Sequence, residues 1–332
     1  MTESPAAHSP ARPAALYLDV DGLDVSPGRA LLRAHGVDAL DAADEPISSD
    51  LERVVALLIG YDPVGPEWLD RLPALRLIAT HSAGYDMVDV EAVRARGLWL
   101  ANLPAAATRE VAVHALAMAL ALIRRLPAYD ADVRQGRWTH PPGPLPRVPD
   151  EMTCGVLGMG RIGREFAALA RPLFGRLVGY DPVLPGEQWP VGVERVDSVE
   201  ALLAASDCLS LHVPLSPQTR GLLDARRLAL MPPGAVVVNV SRGALIDEVA
   251  LLDALRDGRL AGAACDVLAH EPPPRGRPDA RRAGRPAVTA RGLPVAGFVA
   301  PVHRDAGAQC DRPARARGAA DCGGQAGRTT GA

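Results

Sequence analysis

A glycine-rich turn between an apolar run and a helical pattern constrains the fold of this chain more than any other feature. Residues 158–163 read Gly-Met-Gly-Arg-Ile-Gly, directly after an apolar run and at the start of a helical pattern. In that context Gly158 permits a tight turn, Gly160 lets a diphosphate approach the backbone, and Gly163 lets the helix pack on its strand. The N–H groups and positive dipole of the helix start also favour an anion. The predicted cofactor contacts at this turn are Gly158, Gly160, Arg161, Ile162 and Gly163.

An acidic residue follows at the distance that a dinucleotide site requires. Asp181 ends the apolar run 177–181, where a carboxylate would hold the ribose hydroxyls of an adenosine. Its charge would repel a 2′-phosphate, so the sequence predicts NAD rather than NADP. The alternative is that Asp181 only begins a turn before Pro182.

Short apolar runs alternate with helical patterns along most of the chain, which is typical of βαβ units around parallel sheets. Strands are predicted over residues 15–20, 54–59, 75–80, 153–157, 177–181, 208–213, 235–239 and 262–267. A length of 332 residues favours two domains. We therefore predict an α/β fold of two doubly wound parallel-sheet domains. A leader over 1–13, expected to be disordered, precedes a first domain over 14–104 and a Rossmann domain over 105–274, which opens with a helix capped by Thr108.

The composition argues against several classes of function. The chain is 48% hydrophobic and 23% charged with a net charge of −3, which gives no excess charge for nucleic acid or a membrane surface. The five cysteines show neither paired nor metal-ligand spacing, which favours a reducing compartment and no metal site. No apolar run reaches the roughly 18 residues that a membrane span needs. We expect a cytoplasmic protein.

Three further stretches resemble the D-isomer-specific 2-hydroxyacid dehydrogenase family, which includes phosphoglycerate dehydrogenases and glyoxylate–hydroxypyruvate reductases. They are DCLSLHVPLSPQTRGL at 207–222, VVVNVSRGALIDE at 236–248 and AACDVLAHEP at 263–272. The resemblance covers roughly residues 50–274. It implies a flavodoxin-like substrate domain, a Rossmann NAD-binding domain and a homodimer. It also implies an oxidoreductase that transfers a hydride between NAD and a D-2-hydroxy acid/2-oxo acid pair.

The resemblance assigns roles to individual residues. Arg242 would bind the substrate carboxylate in a bidentate manner, as a planar guanidinium can, and would polarise the carbonyl. Glu271 would pair with a catalytic histidine and raise its pKa. Backbone N–H groups around Ala83 and Gly84 resemble the family's second substrate clamp. The remaining implied cofactor contacts are Val213, Pro214, Val240, Ser241 and Asp266, with Asp266 either accepting from the carboxamide or capping a strand.

The histidine that this chemistry uses has no counterpart between Glu271 and Val302. His303 is displaced and lacks a preceding strand, and His270 would point elsewhere on an extended backbone. Loss of a general acid costs about 10²–10⁴ in rate. A second interpretation therefore stays open, in which the chain is a non-catalytic NAD-binding regulatory module like the family's corepressor relatives.

The chain changes character after Pro274. Residues 275–332 contain eleven arginines, four aspartates, no glutamate and one leucine, and such a segment buries too little apolar surface to offset its ordering entropy. We predict a disordered low-complexity tail and favour out-of-frame translation of a GC-rich gene as its origin; a basic tail that binds anions or nucleic acid is the weaker alternative. The family completes its cofactor sheet with this region, so an uncovered sheet edge is expected.

Overall fold

Five parallel strands form the first sheet. The computed structural model describes residues 11–20, 22–44, 48–105, 107–138, 144–270 and 287–289. The strands are β1 Ala14–Leu18, β2 Asp38–Asp41, β3 Val54–Ile59, β4 Leu77–Thr80 and β5 Trp99–Ala101. Their order is β2-β1-β3-β4-β5 and every pairing is parallel. This is the flavodoxin-like order, in which the chain reverses direction across the sheet between β1 and β3.

Short helices cover this sheet. They are α1 Ser26–Ala34, α2 Ser48–Leu51, α3 Pro66–Arg71 and α4 Val90–Ala95. The apolar residues of β1, β3 and β4 are buried with those of α3 and α4 in one core, which includes Leu16, Leu57, Ile78, Leu69 and Val93. The covered sheet presents the carboxyl ends of its strands at one edge, where loops carry the candidate substrate clamp.

Seven parallel strands form the second sheet. They are β6 Thr153–Leu157, β7 Arg176–Tyr180, β8 Glu194–Arg195, β9 Cys208–Leu211, β10 Ala235–Asn239, β11 Leu260–Cys265 and β12 Ala287–Thr289. The order is β12-β11-β10-β9-β6-β7-β8, with all pairings parallel. The strands from β6 to β11 follow the Rossmann order, which confirms the predicted fold class.

Helices lie on both faces of the second sheet. They are α5 Thr108–Ile123, α6 Leu126–Arg134, α7 Arg161–Ala170, α8 Val199–Ala205, α9 Ala225–Leu228 and α10 Glu248–Arg256. Successive side chains of β10 point to opposite faces of the sheet, as they do along any strand. Val236 and Val238 pack with α5 and α7, whereas Ala235 and Val237 pack with α8, α9 and α10. The sheet is therefore doubly wound.

Four strands escape the sequence prediction, namely β2, β5, β8 and β12. β2 and β8 carry charged residues, and β5 and β12 are only three residues long. The predicted helix cap at Thr108 is wrong by one position: Ala107 is the N-cap and provides no side-chain hydrogen bond. No single helix in the described ranges could cross a bilayer by length and hydropathy; α5 and α6 meet that test only as a pair bent by 61°.

The outer edge of β11 carries a partner strand. β12 pairs with it in register, Ala263 with Ala287, Ala264 with Val288 and Cys265 with Thr289. Over these three residues the outer edge of β11 is paired rather than uncovered; the expected disorder of the tail stays a prediction. An open strand edge presents unpaired N–H and C=O groups, and β12 provides backbone partners for those of β11 over three residues.

Two cysteines face each other in the middle of the second sheet. The register of β6 and β9 pairs Cys154 with Cys208, and both residues are fully buried. The contact with Cys208, together with burial, raises the pKa of the Cys154 thiol well above its usual value. The Cys154 thiol therefore stays neutral and acts as a small apolar side chain.

Some predictions fall outside the described residues. They concern the leader up to residue 10, Glu271, His303 and the tail apart from β12.

Candidate functional site

The glycine turn after β6 is built on close backbone contacts. Gly158 has a φ of +94°, and a Cβ there would lie 2.6 Å from the carbonyl oxygen of His212 and 2.8 Å from Cγ1 of Val213. Gly163 is buried, and its Cβ would lie 1.9 Å from the carbonyl oxygen of Gly158. Both positions therefore require glycine, the first for the turn and the second for the seating of α7 on β6.

Gly160 instead borders open space. It is the N-cap of α7 and is exposed, and a Cβ there would meet no atom within 4 Å. No acidic residue lies in the first turn of α7, so the N–H groups and positive dipole end of this helix face that space without a countercharge of their own. A diphosphate fits this cradle, and the residues present are those that a bound dinucleotide needs.

Asp181 contacts the glycine turn directly. The N–H of Met159 donates to Oδ2 of Asp181 at 2.8 Å, while the N–H groups of Val183 and Leu184 donate to Oδ1 at 2.8 and 3.0 Å. Asp181 therefore starts the turn before Val183 and Leu184, and its carboxylate lies beside the predicted cofactor cradle; its contact with an adenosine ribose stays a prediction. Arg195 donates to the backbone oxygen of Asp181 at 3.4 Å, so a positively charged side chain also lies close to Asp181.

His212 and Val213 form a wall of the turn. Nε2 of His212 lies 2.9 Å from Oγ of Ser210, and the ring centroid lies 5.0 Å from that of Phe166. Burial lowers the pKa of His212 to about 3, so the imidazole is neutral at physiological pH and is unsuited to donate a proton. Pro214, by contrast, is exposed, and its carbonyl accepts from Oγ1 of Thr219 at 2.7 Å.

Arg242 reaches from the second sheet to the first. Its Nε donates to Asp86 Oδ1 and Oδ2 at 2.8 and 2.9 Å, and its Nη2 donates to Oδ1 at 2.6 Å. A Cβ on Gly84 would lie 1.8 Å from Nη2 of Arg242. The structure thus places the predicted substrate-binding arginine directly over the predicted clamp. Ala83 belongs to the same loop, and its carbonyl accepts from Nδ2 of Asn102 at 2.7 Å.

The pairing with Arg242 controls the charge of Asp86. Burial works to raise the pKa of this carboxyl, but the hydrogen bonds and the positive charge of Arg242 outweigh it and hold the pKa below its usual value. About two fifths of the Asp86 side chain is exposed, at 40%, and 35% of the Arg242 side chain. The ion pair is therefore partly accessible to solvent.

A buried amide holds the turn that presents Arg242. Asn239 is fully buried; its Nδ2 donates to the Arg242 carbonyl at 2.9 Å, and its Oδ1 accepts from the Ser241 N–H at 3.0 Å. Oγ of Ser241 donates to the carbonyl of Leu211 at 2.9 Å, which ties the turn to β9. Val240 and Ser241 are thereby fixed beside the carboxyl end of the sheet.

Asp266 follows β11 at the same edge. Its N–H donates to the carbonyl of Asn239 at 2.9 Å, which extends the pairing of β10 and β11 by one residue. Across from it, Nε2 of His114 on α5 lies 3.6 Å from Oδ1 of Asp266. A carboxylate and an imidazole thus lie side by side near the end of the cofactor sheet.

The remaining predicted contacts are less central. Ile162 is half-buried against the core under α7, whereas the Arg161 side chain is exposed. His270 is exposed as well. Sequence reasoning missed the contacts of Asp86, Asn239 and His114. Each residue did stand out in the sequence: Asp86 is an acid inside the clamp motif, Asn239 an amide inside an apolar strand, and His114 a lone imidazole on an apolar helix.

The chain is similar to known proteins in both sequence and structure. A family model described as "D-isomer specific 2-hydroxyacid dehydrogenase, NAD binding domain" matches residues 116–288. The match begins inside α5 and continues past Pro274 into β12, so the resemblance extends further than the sequence analysis places it.

Individual relatives cover both domains. The D-3-phosphoglycerate dehydrogenase of Mycobacterium tuberculosis is 40% identical over 230 residues, which are 69% of this chain and 43% of that protein. The glyoxylate reductase of Korarchaeum cryptofilum is 38% identical over 229 residues, 68% of each chain. The crystal structure of a glyoxylate reductase from Paecilomyes thermophila superposes with a TM-score of 0.73 at 28% identity, covering 84% of this chain and 87% of that one. This chain spans less than half the length of the mycobacterial relative.

Proposed function

The chain belongs to the D-isomer-specific 2-hydroxyacid dehydrogenase family, and we propose that it transfers a hydride between NAD and a D-2-hydroxy acid/2-oxo acid pair. One observation carries the proposal. Arg242, at the end of the cofactor sheet, lies against Gly84 of the first domain, so a carboxylate-binding cation and a loop of backbone groups flank one cleft. A small 2-oxo acid needs those two partners.

The cofactor would lie along the carboxyl edge of the second sheet. The cradle at Gly160 would take the diphosphate, Asp181 the adenosine ribose, and Asp266 the carboxamide of the nicotinamide. Val213, Pro214, Val240 and Ser241 would contact it between those points. Bound NADH supplies the hydride, and the protein supplies position and electrostatics.

Arg242 would do the electrostatic work of the reaction. Its guanidinium would grip the substrate carboxylate and stabilise the negative charge that develops on the carbonyl oxygen during reduction. The carboxylate of Asp86 accepts hydrogen bonds from Nε and Nη2 of this guanidinium, so an entering substrate would compete with Asp86 for those donors. Glu271 is proposed as the carboxylate that, in the family, would orient a proton-donating imidazole. No histidine lies between Glu271 and Val302 to take that role, so solvent would supply the proton and turnover would be slower by about 10²–10⁴.

The finer assignments are also proposals. The charge of Asp181 supports NAD over NADP, although Arg195 beside it would tolerate a phosphate. Family membership supports a homodimer, and the near-neutral composition supports a cytoplasmic protein without nucleic-acid or membrane partners. Glyoxylate, hydroxypyruvate and phosphorylated 2-oxo acids all fit a carboxylate-binding arginine.

A binding and turnover experiment tests the proposal. We expect the purified full chain to bind NADH by fluorescence titration and to oxidise it in the presence of glyoxylate or hydroxypyruvate. Arg242→Gln should lower kcat/KM by about 10²–10³ and leave NADH affinity unchanged. Arg134→Gln is the matched control, because Arg134 is also ion-paired, to Asp130 at 2.8 Å, but lies on α6.

The outcomes separate the two functional interpretations. NADH binding with Arg242-dependent turnover supports the dehydrogenase. NADH binding without turnover of any 2-oxo acid, also after a family-type C-terminal segment is supplied, would favour the non-catalytic regulatory module. Absence of NADH binding would reject both.

A further inference from the structure

His114 and Asp266 place a potential hydrogen-bond donor beside an acceptor. Nε2 of His114 lies 3.6 Å from Oδ1 of Asp266, slightly too far for a hydrogen bond between them. Nε2 is buried and, within the described ranges, has no hydrogen-bond partner. A buried polar nitrogen without a partner is unfavourable, so the site is better satisfied when a ligand group bonds to it.

The pair lies where the reactive end of a dinucleotide would be held. Asp266 ends β11 and is bonded through its N–H to Asn239 of β10, whose side chain holds Arg242. Adjacent parallel strands are about 4.8 Å apart, so the pair and the substrate-binding arginine share one end of the sheet. His114 approaches from α5, which packs on the same face as α7.

We propose that His114 and Asp266 together form a two-point clamp for the primary carboxamide of the nicotinamide. Asp266 accepts from the amide NH₂, and the Nε2–H of His114 donates to the carboxamide oxygen. A primary carboxamide carries one donor group and one acceptor on the same carbon, which matches the adjacent acceptor and donor of this pair. The inference rests on the proposed function and adds His114 to it as a cofactor-positioning residue.

The other histidines of the described cofactor domain do not offer this arrangement. His212 lies in the wall beside the glycine turn, where its Nε2 already bonds Ser210 and burial lowers its pKa to about 3. His270 is exposed beyond the strand end. The clamp also constrains the ring: a carboxamide bonded at both its nitrogen and its oxygen cannot rotate, so one face of the nicotinamide is directed at the substrate.

Cofactor analogues test the two contacts separately. We would measure the Kd of NADH, of reduced 3-acetylpyridine adenine dinucleotide and of ADP-ribose for the wild-type chain, His114→Phe and Asp266→Ala. The acetyl analogue keeps the carbonyl oxygen and lacks the NH₂; ADP-ribose lacks the nicotinamide. His35→Phe, at the exposed end of α1, is the matched control.

We expect His114→Phe to weaken NADH and the acetyl analogue alike, by about threefold to tenfold, since one hydrogen bond is lost. Asp266→Ala should weaken NADH more, by about tenfold or above, but should hardly affect the acetyl analogue. Neither variant should change the Kd of ADP-ribose.

Three results would overturn the clamp. One is an unchanged NADH affinity in His114→Phe. Another is an equal loss for NADH and ADP-ribose, which would indicate general damage to the fold. The third is failure of the wild-type chain to bind NADH at all, which would overturn the proposed function as well; the first two leave that function intact.

Discussion

Arg242 and Asp86 form a forked ion pair that joins the two domains, with Nε and Nη2 of the arginine both directed at the carboxylate, at 2.6–2.9 Å. The two residues are 156 positions apart. The carboxylate is the same chemical group that a 2-oxo acid would present to this guanidinium. Asp86 is therefore both a support for Arg242 and a competitor of the proposed substrate.

Replacing Asp86 tests that competition. Asp86→Asn removes a negative charge next to the anion site while keeping the size of the side chain. Because the lost repulsion between this carboxylate and the substrate carboxylate amounts to about 1 kcal/mol, we expect the KM for glyoxylate to fall by about threefold to tenfold. Steady-state kinetics at saturating NADH measure it. Asp70→Asn is the control, because Asp70 is paired with Arg96 at the same 2.6 Å on the helical side of the first domain. An unchanged or raised KM in Asp86→Asn would show that the carboxylate serves only to orient Arg242.

Two glycines at helix starts provide a matched test of the cofactor cradle. Gly160 and Gly65 are the N-caps of α7 and α3, and a Cβ at either would meet nothing within 4 Å. Gly160→Ala and Gly65→Ala should each change the free energy of unfolding by only about 1 kcal/mol or less. Only Gly160→Ala should weaken NADH binding, by about tenfold or more, because its methyl group occupies the space of the diphosphate. Equal NADH affinities in the two variants would contradict the assignment of the cradle.

Asp181 links cofactor choice to the stability of the glycine turn. Asp181→Ala leaves the N–H groups of Met159, Val183 and Leu184 without their acceptor, so we expect unfolding in urea to become easier by about 1–3 kcal/mol. The loss of the negative charge, with Arg195 kept, should also shift the ratio of the NADPH and NADH dissociation constants toward NADPH. Asp181→Asn, which keeps an acceptor oxygen, should retain more stability than the alanine variant and shift the ratio similarly. A ratio that does not move would separate Asp181 from cofactor choice.

The buried imidazole of His212 predicts a pH dependence of stability. Its pKa in the folded chain is about 3, below the value of about 6.5 in an unfolded chain. Between those values the unfolded state binds a proton that the folded state does not, so stability falls as the pH falls through 6.5 and towards 3. From pH 7.5 to 5.5 this contribution amounts to about 1 kcal/mol.

His212→Gln should remove that contribution while keeping a polar group near Ser210. Urea unfolding curves at pH 7.5 and 5.5 measure the difference, and His35→Gln serves as the control at an exposed site. A wild-type chain and a His212→Gln variant with the same pH dependence would show that the imidazole titrates normally in the folded state.

The origin of the segment after Pro274 is decided by the coding DNA. If translation leaves the family's frame there, one of the other two frames should encode a Thr-Pro-His-type turn downstream. Sequencing the gene and translating all three frames is sufficient. The absence of such a turn from both alternative frames would remove the frameshift hypothesis and leave the segment as native.

The regular pattern of apolar residues made most of the fold predictable. Strands such as β1 and β10 are buried on both faces, so each is a continuous apolar run, and the glycine turn marks where the second sheet begins. The short edge strands β2 and β8 leave no such signal, because they carry charged residues and their partners are set by tertiary pairing. β12 was missed because three residues are too few to form an apolar run.

The candidate site was predictable where a motif fixes the backbone and was missed where contacts join distant segments. The glycines, Asp181 and Arg242 are recognisable from local spacing. The partnership of Arg242 with Asp86 depends on how the two domains meet, and that of His114 with Asp266 on how α5 crosses the cofactor sheet. Sequence spacing carries no direct information on either contact.

The facing thiols of Cys154 and Cys208 allow opening of the second sheet to be measured by thiol labelling. A maleimide reacts with a thiolate, and both sulfurs are sealed between paired central strands, one of them with a pKa held well above normal. In a Cys265→Ala variant, which removes the thiol at the end of β11, labelling after accessible thiols have been blocked would count openings of β6 from β9. The rate of that labelling, with and without dinucleotide, would give the free energy by which the ligand closes the centre of the domain.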